Sequence, residues 1–267
     1  MNGAPTLVRA SLRLGMSLVL AYRLEVVVQI VSASLVAFLN WSLWTAITQD
    51  RAEIAGRSAE EMTTYVVVAW LVTTFYGNQI DRWLGARFRT GDIAVDLLRP
   101  WSLQLHLYLR DLGRALSSLV LTTTPLFIWT QLLLPLQAPE HLWRWGLFVV
   151  SLLLAHAISF GFSWLVGMAA FRLRNAAGLA HLKSTLIGIF SGALIPLDLY
   201  PAPMRTVLMW LPFQGMSHTP ANIFVSDMPL SAIGHAMLVQ VGWALGLAVM
   251  SAAAFRVATR RMVIQGG

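Results

Sequence analysis

Six long apolar stretches punctuate the chain, at residues 26–47, 62–80, 112–136, 143–171, 179–197 and 233–255, with polar segments between them. Each holds roughly 19 to 29 residues. At ~1.5 Å of rise per residue, each covers the ~30 Å hydrocarbon core of a bilayer. Lipid cannot hydrogen-bond exposed backbone, so a helix is the economical reading of every stretch. The ten-residue alternation of a membrane β-barrel is not visible. The pattern predicts an all-α membrane protein whose six transmembrane helices form a single domain over 1–267. Ahead of the first stretch, Leu7, Ala10, Leu14 and Leu18 fall near one helical face, with Arg9 and Arg13 on another. Such a helix lies in the membrane interface or extends the first span. Tyr22 and Arg23 mark a headgroup boundary and favour an interfacial helix over 1–23.

The polar segments differ in kind. Residues 48–61 carry Asp50, Glu53, Glu60 and Glu61 against Arg51 and Arg57, and read as a loop that caps helix ends. Residues 137–141, with Pro139, make an antiparallel hairpin of the third and fourth helices. The segment 81–111 is long and charged. Thr90 or Asp92 caps a short helix over 93–98 that Pro100 stops. Arg89 and Arg99 bracket Asp92 and Asp96, while Ile93, Val95, Leu97 and Leu98 supply apolar surface. A loop of this length in a compact protein reads as a docking element. Segment 196–230 holds six of the eleven prolines, with an apolar run at 204–211 too short to span. It reads as re-entrant half-helices turning near 212–215, an outer lid or gate punctuated by Pro196, Pro203 and Pro212; the alternative is a loop lying on the outer headgroups.

Composition supports a membrane protein: 57% hydrophobic residues, 12% charged, and a mean hydropathy of +0.66. The charge then orients it. Of nineteen Lys and Arg residues, Arg51, Arg57, Arg144 and Arg205 fall outside on alternating assignment, and the other fifteen fall inside. That is the positive-inside pattern, with both termini cytoplasmic. The net charge of +7 lies in short juxtamembrane loops, which argues against nucleic-acid binding. Residues 1–20 do not read as a cleavable signal, because Arg9 and Arg13 interrupt the apolar part.

Chemistry is sparse. With no cysteine, neither a disulfide nor a thiolate metal site forms, and no metal site is expected. Neither H-E-x-x-H nor G-x-S-x-G occurs, nor the phosphate loop G-x-x-x-x-G-K-[ST]. The six histidines are scattered; His156 alone falls mid-span, as a packed or water-facing residue. All twelve acids fall in loops or at helix ends, with Glu25 nearest to a span. Mild polar residues remain inside the helices. Gln29 and Asn40, nearly three turns apart on one face, and Thr73 and Thr74 either line a path for an amphipathic substrate or bond neighbouring helices. The pairs Gly188/Gly192 and Gly242/Gly246 permit close helix approach.

Three runs carry a resemblance: A-Y-R-L-E at 21–25, R-T-G-D-I-A-V-D-L-L-R-P at 89–100 and F-S-G-A-L-I-P-L-D-L-Y-P at 190–201. The chain resembles the permease subunits of ABC-2-type transporters, in the subgroup of short six-helix bacterial exporters. The resemblance implies a non-catalytic subunit of the bacterial inner membrane that pairs with a second permease chain, identical or related. Cytoplasmic ATPase subunits bind beneath it, and ATP and Mg are held there, with no cofactor in this chain. It also implies a coupling helix seated on the ATPase, carried here by Arg89, Asp92, Asp96, Arg99 and Pro100, and a re-entrant hairpin that closes the outer end. The shorter segment 172–183 would be a second ATPase contact. An ATP-independent channel and an intramembrane lipid-processing enzyme are the rival readings. A channel leaves the acids of 89–100 dispensable, and the enzyme lacks an acid–base cluster.

Overall fold

A computed structural model describes residues 3–21, 23–49, 53–98, 102–173, 176–225 and 228–262. In chain order the helices are α1 (Gly3–Ala21), α2 (Arg23–Thr48), α3 (Ala59–Tyr76), α4 (Ile80–Thr90), α5 (Ile93–Leu97), α6 (Leu103–Ser118), α7 (Thr124–Leu133), α8 (Leu142–Leu173), α9 (Ala176–Phe190), α10 (Ala202–Leu208), α11 (His218–Val225) and α12 (Leu230–Met262). Four helical segments are long and apolar enough to cross a membrane: Leu24–Thr48, Leu103–Leu133, Leu142–Ala170 and Leu230–Thr259. The other two stretches expected to span form shorter helices, α3 of 18 residues and α9 of 15. At ~1.5 Å per residue these reach about 27 and 22 Å.

Each short helix stops for a local reason. Before α3 the strands β1 (Glu53–Ile54) and β2 (Arg57–Ser58) pair antiparallel. Ala55 and Gly56 turn between them with φ of 55° and 80°, the left-handed pair a two-residue hairpin needs. Ser58 and Glu61 then close a reciprocal capping box at the start of α3. At its far end the chain breaks over residues 77–79 before α4 begins. Helix α9 ends at Gly192, where φ is +85° and the Leu194 N–H returns to the Gly188 carbonyl at 3.2 Å.

Helix α3 is the buried centre of the bundle. Its apolar residues Met62, Tyr65, Val66, Val72 and Phe75 join Ala155 and Ile158 of α8 and Ala221 and Phe224 of α11 in the main core. Edge-to-face rings extend that core, with Phe224 lying 5.4 Å from Phe127 and 5.2 Å from Trp145. Helix α8 spans both halves of the molecule. Phe148 near its start packs on Phe224, while Gly167 near its end receives Leu84 and Asp81 of α4. The two non-spanning segments, α4–α5 and α10–α11, thus sit toward opposite ends of α8.

Helices α6 and α7 form one continuous rod interrupted by a π-helical turn at Leu119–Thr123. Pro125 follows directly; it lacks an N–H and its ring clashes with the preceding turn, so the ladder widens there. The rod starts at Leu103, nine residues before the expected span. Residues 103–111, placed in a loop by their polarity, are therefore the first turns of a helix.

The amphipathic α1 is present, and it meets the protein through a face of small residues that the apolar pattern did not single out. Ser11 and Gly15 are buried against α6, while Leu14 and Met16 are exposed. A Cβ on Gly15 would lie 2.7 Å from the Arg114 backbone nitrogen, and one on Gly113 would lie 2.9 Å from Leu12 Cα. The two backbones touch through paired glycines, and Ser11 Oγ reaches His106 Nδ1 at 2.8 Å beside them. Of the glycines picked out by spacing, Gly192 is closely packed, a Cβ there lying 2.6 Å from the Tyr65 hydroxyl, whereas a Cβ at Gly188, Gly242 or Gly246 meets nothing within 4 Å in this chain. We therefore expect Gly15→Leu or Gly113→Leu to detach α1 and lower the fraction of monodisperse protein in mild detergent after heating. Gly146→Leu, where a Cβ likewise meets nothing within 4 Å, leaves the fraction unchanged.

Candidate functional site

The half of the bundle that holds α4 and α5 is organised by charges that the helices bury. Asp81, in the first turn of α4, lies 2.7 Å from Lys183 Nζ on α9, and both side chains are almost fully buried. Lys183 also donates to Ser163 Oγ of α8 at 3.1 Å. Asn78 just before α4 donates to Ser159 Oγ at 3.0 Å, and Ser159 donates to the Tyr76 carbonyl at 3.1 Å. Four elements are tied at one point. The single lysine of the chain was legible as an inside-facing charge; its partner, 102 residues away, was not.

A second buried group lies beside it. Asp111 Oδ2 is 3.0 Å from His156 Nε2, and Oδ1 is 3.1 Å from Arg114 Nε. Arg114 also donates to the Gly77 carbonyl at the α3–α4 break. The expectation that every acid sits in a loop or at a helix end fails here, because the early start of α6 puts Asp111 midway along it. His156 is packed, as expected, between the rings of Phe75 and Tyr108. Among the described residues no group of three or more His, Asp or Glu side chains is placed to hold a metal.

From this anchored base α4 and α5 form a short arm that packs on α6 and α8 through Ile80, Leu84, Phe88 and Ile93. Arg87 pairs with both acids of the arm, at 3.3 Å to Asp92 and 3.6 Å to Asp96. Arg89, expected to bracket them, is exposed. Asp92 precedes α5 but does not cap it; its carboxylate accepts from Thr90 Oγ1 at 2.9 Å instead. Ile93 and Asp96 turn inward and are buried. Val95 and Leu98 face out, at 61% and 84% exposure, and make an apolar tip. Arg99 and Pro100 lie outside the described residues.

Between the arm and the bundle is a cleft of about 910 Å³, lined by α2, α3, α4, α6 and α9. Three of the four expected path residues, Gln29, Thr73 and Thr74, line it together with Glu25, Arg82 and Arg110. Asn40 is not among its walls; its amide donates to the Val36 carbonyl of its own helix at 2.9 Å. Thr74 also meets Thr123 across helices at 3.2 Å, the bonding role held open for it. Sequence reading missed Arg82 and Arg110, which look like ordinary orienting charges until α4 and α6 bring them to one wall.

At the other end residues 196–230, expected as a re-entrant hairpin, hold the two short helices α10 and α11. The turn is the short 3₁₀ segment Pro212–Gly215. Pro196 and Pro212 are buried, whereas Pro203 is exposed on α10. All eight residues of α11 are buried, packed against α3 and α8, whereas α10 is exposed from Ala202 to Val207, so only the second half of the segment enters the bundle. Arg57, expected as a loop charge, reaches from β2 to Asp198 at 2.8 Å and to Asn222 Oδ1 at 2.6 Å. Asn222 is 2.8 Å from His218 Nε2, and His218 Nδ1 is 2.8 Å from the Tyr65 hydroxyl. A cavity of about 490 Å³ lies beside this network, between the hairpin and α12.

The molecule thus pairs a charged cleft and the α4–α5 arm at one end with the buried α11 at the other. No curated protein and no solved structure matches the chain. The family described as ABC-2 family transporter protein matches it over residues 33–266, which takes in the arm, α10–α11 and the cleft apart from Glu25 and Gln29. The chain therefore belongs to the ABC-2 transporter family and is its membrane-embedded permease component.

Proposed function

We propose that this chain is the permease subunit of an exporter in the bacterial inner membrane, moving an amphipathic substrate out of the cytoplasm. The energy comes from ATP hydrolysed, with Mg, by separate cytoplasmic ATPase subunits that seat the α5 tip. A second permease chain, identical or related, completes the path. The reading takes six spans with α3 and α9 as the short ones, cytoplasmic termini, α1 in the inner interface and the α10–α11 hairpin as outer gate. The observation that carries it is the arm: an exposed apolar tip, Val95 and Leu98, joined through α4 to a buried ion pair. A tip so exposed next to a base so fixed suits a lever, since force applied at α5 reaches α9 and α8 without being absorbed in a flexible loop.

The roles of the arm residues then divide. Arg89 and Asp92 are exposed and border the tip. Asp96 is buried and holds the arm's shape through Arg87, so it acts on docking indirectly. We expect Val95→Asp with Leu98→Asp to abolish co-purification of an ATPase from native membranes while the permease still elutes as a single species. Charge reversal at Asp92 weakens recovery severalfold. Undiminished ATPase recovery with the double variant favours an ATP-independent channel.

Leaving one member of a buried ion pair unpartnered costs about 3–5 kcal/mol, whereas removing both costs much less. Lys183→Met and Asp81→Asn are each expected to lower the detergent melting temperature, and the two together to recover most of the loss. Substrate-stimulated ATP hydrolysis in the reconstituted complex is expected to stay low even in the double variant, because α4 is no longer tied to α9. Full stimulation with the pair absent sinks the lever.

A further inference from the structure

The polar cleft shares five lining residues, Thr73, Gly77, Asn78, Lys183 and Ser184, with a second cavity of about 340 Å³. That second cavity is a groove along α3 and α9, walled by Trp70, Ile187 and Leu194, with Gly188 among its lining residues. A Cβ on Gly188 would meet nothing within 4 Å, so the groove is open there. One continuous space is therefore charged at one end and apolar at the other.

The charges at the polar end are of two signs. Asp81 is neutralised by Lys183, and Asp111 by His156 and Arg114. Arg82 and Arg110 form no ion pair among the described residues; Asp111 and Asp96 act on Arg110 only at longer range, against Arg87 and Arg114, and it lies over the Trp83 ring at 5.6 Å. Glu25, in the first turn of α2, faces the same cleft without a cation partner among the described residues. Gln29 follows it by one turn on the same wall. A purely anionic headgroup would meet Glu25, and a purely cationic one would meet two guanidinium groups. A headgroup carrying both signs satisfies all three.

We propose that cleft and groove form one binding site for a zwitterionic amphiphile that bears a phosphate, a primary amine and an acyl chain. The phosphate bridges Arg82 and Arg110, whose N–H groups suit phosphate oxygens. The ammonium pairs with Glu25 and donates to the Gln29 carbonyl oxygen. The chain runs along α3 and α9 past Gly188. This deepens the exporter reading by naming a substrate class and rests on it only for the depth of the cleft in the membrane. Binding by the purified chain requires no ATPase, so failure of the site leaves the exporter reading intact, and the reverse.

The test is equilibrium binding to the full chain in maltoside detergent, with myristoyl lysophosphatidylethanolamine as the probe. Controls are the matching lysophosphatidylglycerol and free phosphoethanolamine. The expected result is one saturable site that prefers the ethanolamine lipid about tenfold, a preference worth about 1.4 kcal/mol. Arg82→Gln, on an exposed residue, and Arg82→Gln with Arg110→Gln weaken it progressively, about tenfold or more for the pair. Glu25→Gln abolishes the preference over the glycerol headgroup. Gly188→Leu weakens the lipid and leaves the wild-type elution profile unchanged. Equal affinity for both lipids overturns the headgroup assignment, and so does indifference to Arg82→Gln with Arg110→Gln. Phosphoethanolamine binding as tightly as the lipid, or no effect of Gly188→Leu, overturns the groove.

Discussion

A lysine buried in an apolar bundle has to be neutralised, and the half of this molecule around α4 and α9 is built around meeting that need. Lys183 sits on α9, where an isolated ammonium would cost several kcal/mol. Asp81 meets it at 2.7 Å, and Asp81 can be there only if α4 starts at that point. Ser163 Oγ accepts from the same ammonium, so α8 is fixed as well. One turn beyond Ser163, Gly167 leaves room for Leu84 and the Asp81 backbone. The direction in which the arm leaves the bundle thus follows from the placement of one cation.

The outer end solves the same problem with different residues. Arg57 is neutralised by Asp198 and shares Asn222, and the network continues through His218 to Tyr65. Helix α3 connects the two ends. Its capping box begins one residue after Arg57, Tyr65 faces the outer network, and Asn78 beyond its last turn faces the inner one. Its sequence is correspondingly apolar on all sides, as a helix enclosed by protein needs to be. That enclosure also explains how a helix of 18 residues serves at the centre of the fold: its ends meet protein polar groups, not lipid.

The spanning helices were legible because length and hydropathy are local properties. The starts and ends of α2, α8 and α12 fall within three residues of the apolar stretches, apart from the longer C-terminal run of α12. The Pro212 turn was legible for a similar reason, since proline punctuation acts on its neighbours. What was not legible depends on distant partners. Asp111 looked like loop polarity because its neutralising groups, His156 and Arg114, lie on another helix and one turn along its own. Arg89 looked better placed than Arg87 to hold Asp92 and Asp96 until α4 extended to Thr90 and turned Arg87 toward them. The small-residue contact between α1 and α6 was passed over because Ser11 and Ser117 stand at the second small positions of Ser11/Gly15 and Gly113/Ser117, while Gly242 and Gly246 stay open within this chain.

These constraints bear unequally on the walls of the inner cleft. Helices α4, α8 and α9 are locked together through Lys183, and α6 is joined to α8 and to the α3–α4 break through Asp111 and Arg114. Helix α2 carries no ion pair among the described residues; it is held by packing against α3, α7 and the π-turn, chiefly through Ala33, Ala37 and Trp44. One side of the cleft is therefore a rigid block bearing Arg82 and Arg110, and the other is a separate helix bearing Glu25 and Gln29. If force enters through α4 as proposed, it acts first on the ion-paired block, and the separation between the positive and negative walls changes to the extent that α2, held only by apolar packing on α3, fails to follow.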